Sequence, residues 1–129
     1  MIEFWEYLDG RDRREFSLWR AGLQKSDRAI LDEKMRVIEQ MGLSVGCLNG
    51  PLRGHRHLYK IKARGPTAEL RPLLCRGPQD NDSEVTMLKP MIEVGGKDQP
   101  AGARDEAERR RVEVQRDPSR RVRYEVPQP

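Results

Sequence analysis

One short segment, 58–64, limits what this chain can fold into more than any other part of it. Its alternation sets three apolar side chains against three basic ones: Tyr59, Ile61 and Ala63 against Lys60, Lys62 and Arg64. Successive side chains of an extended strand point to opposite faces of a sheet. The segment therefore predicts a strand with one apolar face, packed on a core, and one basic face, open to solvent.

The remaining pattern predicts an α+β domain. Aromatic and β-branched residues indicate a first strand at 2–7, apolar spacing of three and four indicates helices, and Gly/Pro-rich turns separate three later strands. The predicted helices are 13–22, 26–41 and 103–115, and the later strands are 58–64, 69–76 and 85–94. Pro72 and Pro90 fall inside the last two strands, which places them at edge or bulge positions. We expect a helical hairpin on one face of an antiparallel sheet and an open opposite face.

The length of 129 residues fits a single domain, 1–117, followed by a basic, proline-containing tail, 118–129, that we expect to be extended and free to move. Apolar and charged residues each make up 36%, which predicts a thin core and a densely charged surface. The acidic N-terminus lacks the features of a signal peptide, and no apolar stretch is long enough to span a membrane. These features predict a cytoplasmic protein without a membrane partner.

The positive charge is concentrated in residues 51–77. This segment holds seven Lys and Arg residues against one acid, whereas the rest of the chain is slightly acidic. A patch of this kind attracts polyanions, and nucleic-acid phosphates are the commonest polyanions in a cell. Three cations on one strand face without a matching acid favour nucleic-acid contact over a merely solvated face.

Three other groups leave alternatives open. His55 and His57 share the face of Tyr59, where a structural or exposed role competes with catalysis. The run 109–111 has acids around it and is typical of i, i+4 pairing on a solvated helix face. Cys47 and Cys75 lie far apart without a metal-ligand spacing, so we expect free thiols, no metal site and no cofactor.

The order of elements, with the strand Leu-Tyr-Lys-Ile-Lys-Ala-Arg-Gly at 58–65 and Leu70-Arg71 across a turn, resembles the RelE/ParE superfamily, in particular HigB-like toxins of phages and prophages. A second part of the resemblance runs from Val85 to Gly96 and through Lys97 into the last helix. It implies a RelE-like fold, a curved antiparallel sheet with an N-terminal helical hairpin on one face and a C-terminal helix.

The resemblance also implies a function, that of a toxin in a type II toxin–antitoxin pair. Such a toxin cuts messenger RNA on the ribosome without a metal, by attack of the 2′-hydroxyl on the adjacent phosphate. Its partner would be a small antitoxin, often a helix-turn-helix protein. The candidate catalytic residues are Lys60, Lys62, Arg71, Lys97 and His57. The candidate RNA-binding residues are Arg53, Arg56, Arg64, Arg76 and Arg104.

The chain departs from the family pattern at the start of its last helix. Many members carry a Tyr or His there, where this chain has Ala101-Gly102-Ala103-Arg104. Tyr124 of the tail is the aromatic residue that could return to such a site. The absence of this Tyr or His affects the expectation of RNA cleavage more than the expectation of a RelE-like fold. The alternative function is therefore a non-catalytic RNA-binding module, or a ParE-like module that inhibits a protein, on the same scaffold.

Overall fold

Ten short strands and three helices make up the chain in the computed structural model, which describes residues 1–129. The strands are β1 (Glu3–Tyr7), β2 (Leu48–Asn49), β3 (Tyr59–Ile61), β4 (Ala63–Arg64), β5 (Glu69–Leu70), β6 (Leu73–Arg76), β7 (Glu84–Lys89), β8 (Ile92–Val94), β9 (Lys97–Gln99) and β10 (Arg121–Arg123). The helices are α1 (Glu15–Ala21), α2 (Lys25–Met41) and α3 (Ala103–Arg116). The α+β class is confirmed. None of the helices has both the length and the apolar character needed to cross a membrane.

The strands form two sheets. The larger has the order β10-β1-β7-β6-β3-β2, and the smaller has the order β4-β5-β8-β9. Neighbouring strands are antiparallel except for β1 and β7, so the prediction of a purely antiparallel sheet is wrong at β1. Each of the three predicted later strands is divided into two, and Pro72 and Pro90 lie at two of the breaks. Proline has no N–H to donate, so the two positions end one strand and precede the next, where edge or bulge positions within continuous strands were predicted.

The face of the sheet toward the helical hairpin is packed as the alternation predicts. Ile61 and Ala63 are fully buried in one cluster with Leu31, Met35 and Ile38 of α2, and Tyr59 packs against this cluster. The hairpin therefore covers the apolar side of β3 and β4 through side chains at helical spacing.

The opposite face is covered at its centre, so the prediction of an open face is wrong there. Ala103 and Ala107 of α3 pack in a second cluster with Leu58 and Leu73. Cys75, Leu88, Met91 and Leu52 complete this cluster. The sequence carries the reason, because β6 and β7 are apolar at successive positions, a pattern typical of strands that are covered on both faces.

An ion-pair cluster ties α1, β7 and α3 together. Lys89 Nζ lies 3.1 Å from Glu15 Oε1 and 3.3 Å from Glu106 Oε2, and Arg110 Nη2 lies 2.9 Å from Glu15 Oε2. Arg110 is buried and also donates to the carbonyl of Leu88. The prediction of a solvated face is therefore wrong for Arg110, although its i, i+4 pairing with Glu106 is present.

The segment after residue 117 belongs to the larger sheet rather than to a separate tail. Arg121–Arg123 forms β10, which pairs with β1. The Arg121 side chain is buried, forms a 2.9 Å ion pair with Glu84, and stacks over the Trp5 ring at 4.1 Å. Tyr124 is buried in the hairpin-side core, with its ring 5.2 Å from that of Phe16.

Removal of one partner of the buried Glu84–Arg121 pair should destabilise the fold. Glu84→Gln leaves the Arg121 charge without a counterion, so we expect the free energy of unfolding to fall by about 3 kcal/mol in chemical denaturation. The control is Glu125→Gln, because Glu125 is 88% exposed and its oxygen lies 3.9 Å from Arg123. This control should change stability by less than about 0.5 kcal/mol. Equal effects of the two changes would contradict the structural role of β10.

The Glu15 pairs should make stability depend on pH. Burial alone would raise the pKa of Glu15, but hydrogen bonds from Arg110 and Lys89 outweigh it and hold that pKa below the ordinary value of 4.5. The stabilisation that the ionised Glu15 gives the folded state is fully present above pH 4.5 and is lost as the pH falls through the lower pKa of Glu15 in the folded protein. Denaturation at several pH values should show wild type more stable than Glu15→Gln at neutral pH, with a difference that shrinks in acid. A difference in stability between the two proteins that stays constant with pH would contradict the role of the Glu15 ion pairs.

Candidate nucleic-acid interface

The cations of β3 and β4 face carboxylates from neighbouring strands. Lys60 Nζ lies 3.6 Å from Glu93 Oε1, and Arg64 Nε lies 3.3 Å from Glu69 Oε1. Pairing across the smaller sheet sets Arg64 opposite Glu69 and Glu69 opposite Glu93, so these three residues share one face. The expectation that this strand face lacks matching acids is therefore wrong, and its field is largely neutralised.

Other cations predicted to lie at this site are buried, paired or distant from one another. The Arg71 side chain is 7% exposed, donates to the carbonyl of Leu70 and leaves its Nε without a partner. Arg104 Nε donates to Asp98 at 2.8 Å. Lys62 and Lys97 are exposed and form no ion pair, with Lys62 at the break between β3 and β4 and Lys97 at the start of β9. The structure does not gather these residues into one site.

A loop before β3 presents the other predicted basic residues, Arg53 and Arg56, to solvent. The Leu52 N–H donates to the carbonyl of Leu58, and both side chains are buried under α3, so the loop is closed at its base. Arg53, Arg56 and His57 are exposed between these two anchors. The expectation that His57 shares the core face of Tyr59 is wrong, because the strand begins only at Tyr59 and His57 belongs to the loop.

Arg56 and His57 line a polar cavity of about 340 Å³. The cavity lies where this loop, the β6–β7 connection and the second half of α3 meet. Its lining residues are Arg56, His57, Tyr59, Arg76, Pro78, Asn81, Arg111 and Gln115. Three of them are arginines and none is acidic. Arg56 and Arg76 form no ion pair, so both guanidinium groups are free to bind an anion. We call this cavity and its lining the arginine cleft.

Arg111 is the cationic residue of the cleft that the sequence does not single out, and Asn81 and Gln115 are two polar residues of the cleft that it likewise does not mark. Arg111 lies in the run 109–111, which was expected to be solvated, yet its side chain is only 14% exposed. Glu108 holds it through a 2.5 Å contact, and the carboxamide oxygen of Gln115 accepts a hydrogen bond from its Nη1. The signal was the spacing, because Arg111 follows Ala107 by four positions and precedes Val114 by three. That spacing places it on the buried side of α3.

The two histidines are held differently. The Nε2 atom of His57 lies 3.3 Å from Arg56 Nε, which donates to it. The Nε2 atom of His55 lies 3.0 Å from Asp105 of α3, and its buried Nδ1 has no partner.

Tyr124 packs in the core beneath the helical hairpin, so it does not return to this surface. Burial there raises the pKa of Tyr124 to about 12. Tyr59 is the tyrosine that lines the cleft.

The described residues contain no group of three or more His, Cys, Asp or Glu side chains that could hold a metal ion. The cysteines are free, and burial raises the pKa of the Cys75 thiol to about 12. The chemistry available in the arginine cleft is therefore that of guanidinium donors, an imidazole ring, a phenol and two carboxamides.

Comparison of the chain with protein-family models, with curated proteins and with solved structures finds no match. The fold and the cleft together define an α+β domain with a cationic polar cavity beside its C-terminal helix.

The cleft and the strand face can be compared as polyanion-binding surfaces by removing two charges from each. We expect Arg56→Gln/Arg76→Gln to weaken binding of a single-stranded oligoribonucleotide and to reduce the slope of log K against log salt by about 1.4, since two phosphate contacts are lost. Lys60→Gln/Arg64→Gln removes the same charge from side chains that are already paired and should leave the slope nearly unchanged. A salt titration in which Lys60→Gln/Arg64→Gln lowers the slope more than Arg56→Gln/Arg76→Gln would contradict the assignment of RNA binding to the cleft.

Proposed function

We propose that the protein is an RNA-binding domain and endoribonuclease of the RelE/HigB-like toxin type, and that its site is the arginine cleft rather than the strand face. One observation carries the proposal. Three guanidinium groups and an imidazole line one cavity, and two of the guanidinium groups, those of Arg56 and Arg76, form no ion pair, while Arg111 is paired with Glu108 just outside the lining. Such a cavity suits a phosphodiester, because guanidinium donors bind phosphate oxygens in a forked geometry, and those of Arg56 and Arg76 have no carboxylate partner to displace.

The cleft residues match the requirements of metal-independent RNA cleavage. His57 would accept the proton of the ribose 2′-hydroxyl as that oxygen attacks the adjacent phosphorus. Arg56 and Arg76, which form no ion pair, would stabilise the extra negative charge on the five-coordinate phosphorus, together with Arg111, which Glu108 holds in place. The bond to the 5′ oxygen then breaks, and that oxygen takes a proton from Tyr59 or water. The products are a 2′,3′-cyclic phosphate and a 5′-hydroxyl.

A non-catalytic RNA-binding module is the second candidate, and the geometry of His57 favours it. Its Nε2 lone pair is directed at Arg56 Nε in the absence of RNA, so the ring must release that contact before it can act as a base. In either case an antitoxin that covers the loop and the C-terminal half of α3 would block access to the cleft.

Message cleavage in a bacterial translation extract tests the proposal. Primer extension should show codon-phased ends with wild-type protein and none with Arg56→Gln/Arg76→Gln. His57→Gln should reduce the cleavage rate by about 10²- to 10⁴-fold, the range typical for loss of a general base.

Arg11→Gln is the matched control. Arg11 is an exposed, unpaired arginine in the turn after β1, at the opposite end of the larger sheet from Arg76, and its removal should leave the cuts unchanged. Translation that proceeds on intact message would overturn the nuclease assignment. RNA binding that depends on the cleft without any cleavage would select the non-catalytic module.

A further inference from the structure

A second cavity adjoins the arginine cleft and shares one wall with it. This cavity has a volume of about 600 Å³. It is lined by Pro51, Leu52, Gly54, His55, Arg56, His57, Glu108 and Arg111. Arg56, His57 and Arg111 line both cavities. The wall between the two cavities carries the unpaired guanidinium group of Arg56, the His57 ring and Arg111, whose partner Glu108 lines the larger cavity. Two adjoining spaces with such a wall suit two nucleosides on either side of one linking phosphate.

The sizes of the cavities favour unpaired nucleotides. The arginine cleft, at about 340 Å³, lies near the lower end of the range of roughly 300–1,000 Å³ for small-ligand sites, a size that suits one nucleotide better than a base pair. Proteins that read RNA by sequence do so mostly on single strands whose bases are splayed apart. The two cavities are therefore suited to two successive bases of a single strand.

The free polar atoms of the arginine cleft are mostly hydrogen-bond donors. The carboxamide oxygen of Gln115 accepts a hydrogen bond from Arg111. The carboxamide oxygen of Asn81 is turned toward Gly77 and lies so close to it that a Cβ atom at residue 77 would be 2.2 Å from that oxygen. The amide nitrogens of Asn81 and Gln115 have no protein partner. Guanine presents two adjacent acceptors, O6 and N7, whereas adenine replaces O6 with an amino donor. A carboxamide that offers both its oxygen and its nitrogen matches adenine, whereas amide N–H donors whose oxygens are turned away, beside guanidinium groups, match guanine.

We propose that the arginine cleft and the adjoining cavity bind two successive unpaired ribonucleotides. Arg56, His57 and Arg111 contact the phosphate between them from the shared wall, and Arg76 reaches the same phosphate from the arginine cleft. Asn81 and Gln115 read a guanine in the arginine cleft. The larger cavity is lined mostly by polar side chains, with Pro51 and Leu52 beside His55 and Glu108, and no base preference is assigned to it. This inference rests on the proposed function for the class of ligand, RNA, and does not depend on cleavage.

The proposed two-nucleotide site is tested with dinucleotides that cannot be cleaved. Dinucleoside monophosphates with a 2′-O-methyl group on the 5′ nucleoside, in all sixteen base combinations, are titrated into the full chain and followed by NMR. We expect the best guanine-containing dinucleotide to bind at least about fivefold more tightly than the same compound with adenine at that position. It should also bind at least about tenfold more tightly than guanosine monophosphate.

Asn81→Ala/Gln115→Ala should abolish the preference for guanine and retain binding of the dinucleotide, because the arginine wall is intact. Gln40→Ala is the matched control, since Gln40 is an exposed carboxamide on α2 without a hydrogen bond, and it should keep the preference. The thermal midpoint of each variant checks that it is folded.

Equal binding of guanine and adenine compounds by the wild type would overturn the assignment of Asn81 and Gln115. A mononucleotide that binds as tightly as any dinucleotide would overturn the two-nucleotide site. Selective dinucleotide binding without message cleavage would support this inference while the nuclease proposal fails. Message cleavage that depends on the cleft, without dinucleotide binding, would overturn this inference and leave the nuclease proposal standing.

Discussion

The ion-pair cluster of Glu15, Lys89, Glu106 and Arg110 is the interaction on which the placement of α3 depends. It joins α1, the C-terminal end of the interior strand β7, and α3. Charges at partly buried positions are tolerated only when each meets a partner of opposite sign, and here every member of the cluster has one. With α3 held in this way, Ala103 and Ala107 cover the second face of the sheet, and the far half of the helix carries Arg111 and Gln115 to the loop before β3.

The same pairing rule divides the basic residues of the chain into two groups. Lys60, Arg64 and Arg104 are neutralised by acids from neighbouring elements, and they stabilise the smaller sheet and its contact with α3. Arg56 and Arg76 keep their charge free beside a cavity without acids. A net positive charge of +4 is therefore a poor guide to where an anion binds, because the field at each surface depends on which cations already have partners.

Local patterns predicted the elements well and the second face of the sheet poorly. The alternation at 58–64 located Ile61 and Ala63 in the hairpin core, and the two prolines marked breaks in the ladders. The acid opposite Arg64, Glu69, follows from the short turn at 65–68 and could have been predicted. Glu93, the partner of Lys60, comes from β8, which is distant in sequence, and no local pattern encodes that contact. Arg111 could have been found from its spacing with Ala107 and Val114. The cavity could not, because it forms where three segments distant in sequence meet.

The central claim is that RNA contacts the arginine cleft and not the strand face. Chemical-shift mapping of the labelled protein with a short single-stranded oligoribonucleotide tests it directly. The account predicts the largest changes at Arg56, His57, Asn81 and Gln115, with small changes at Lys60, Lys62 and Glu93. Changes centred on β3, β4 and β8, with the loop and the end of α3 unaffected, would contradict it.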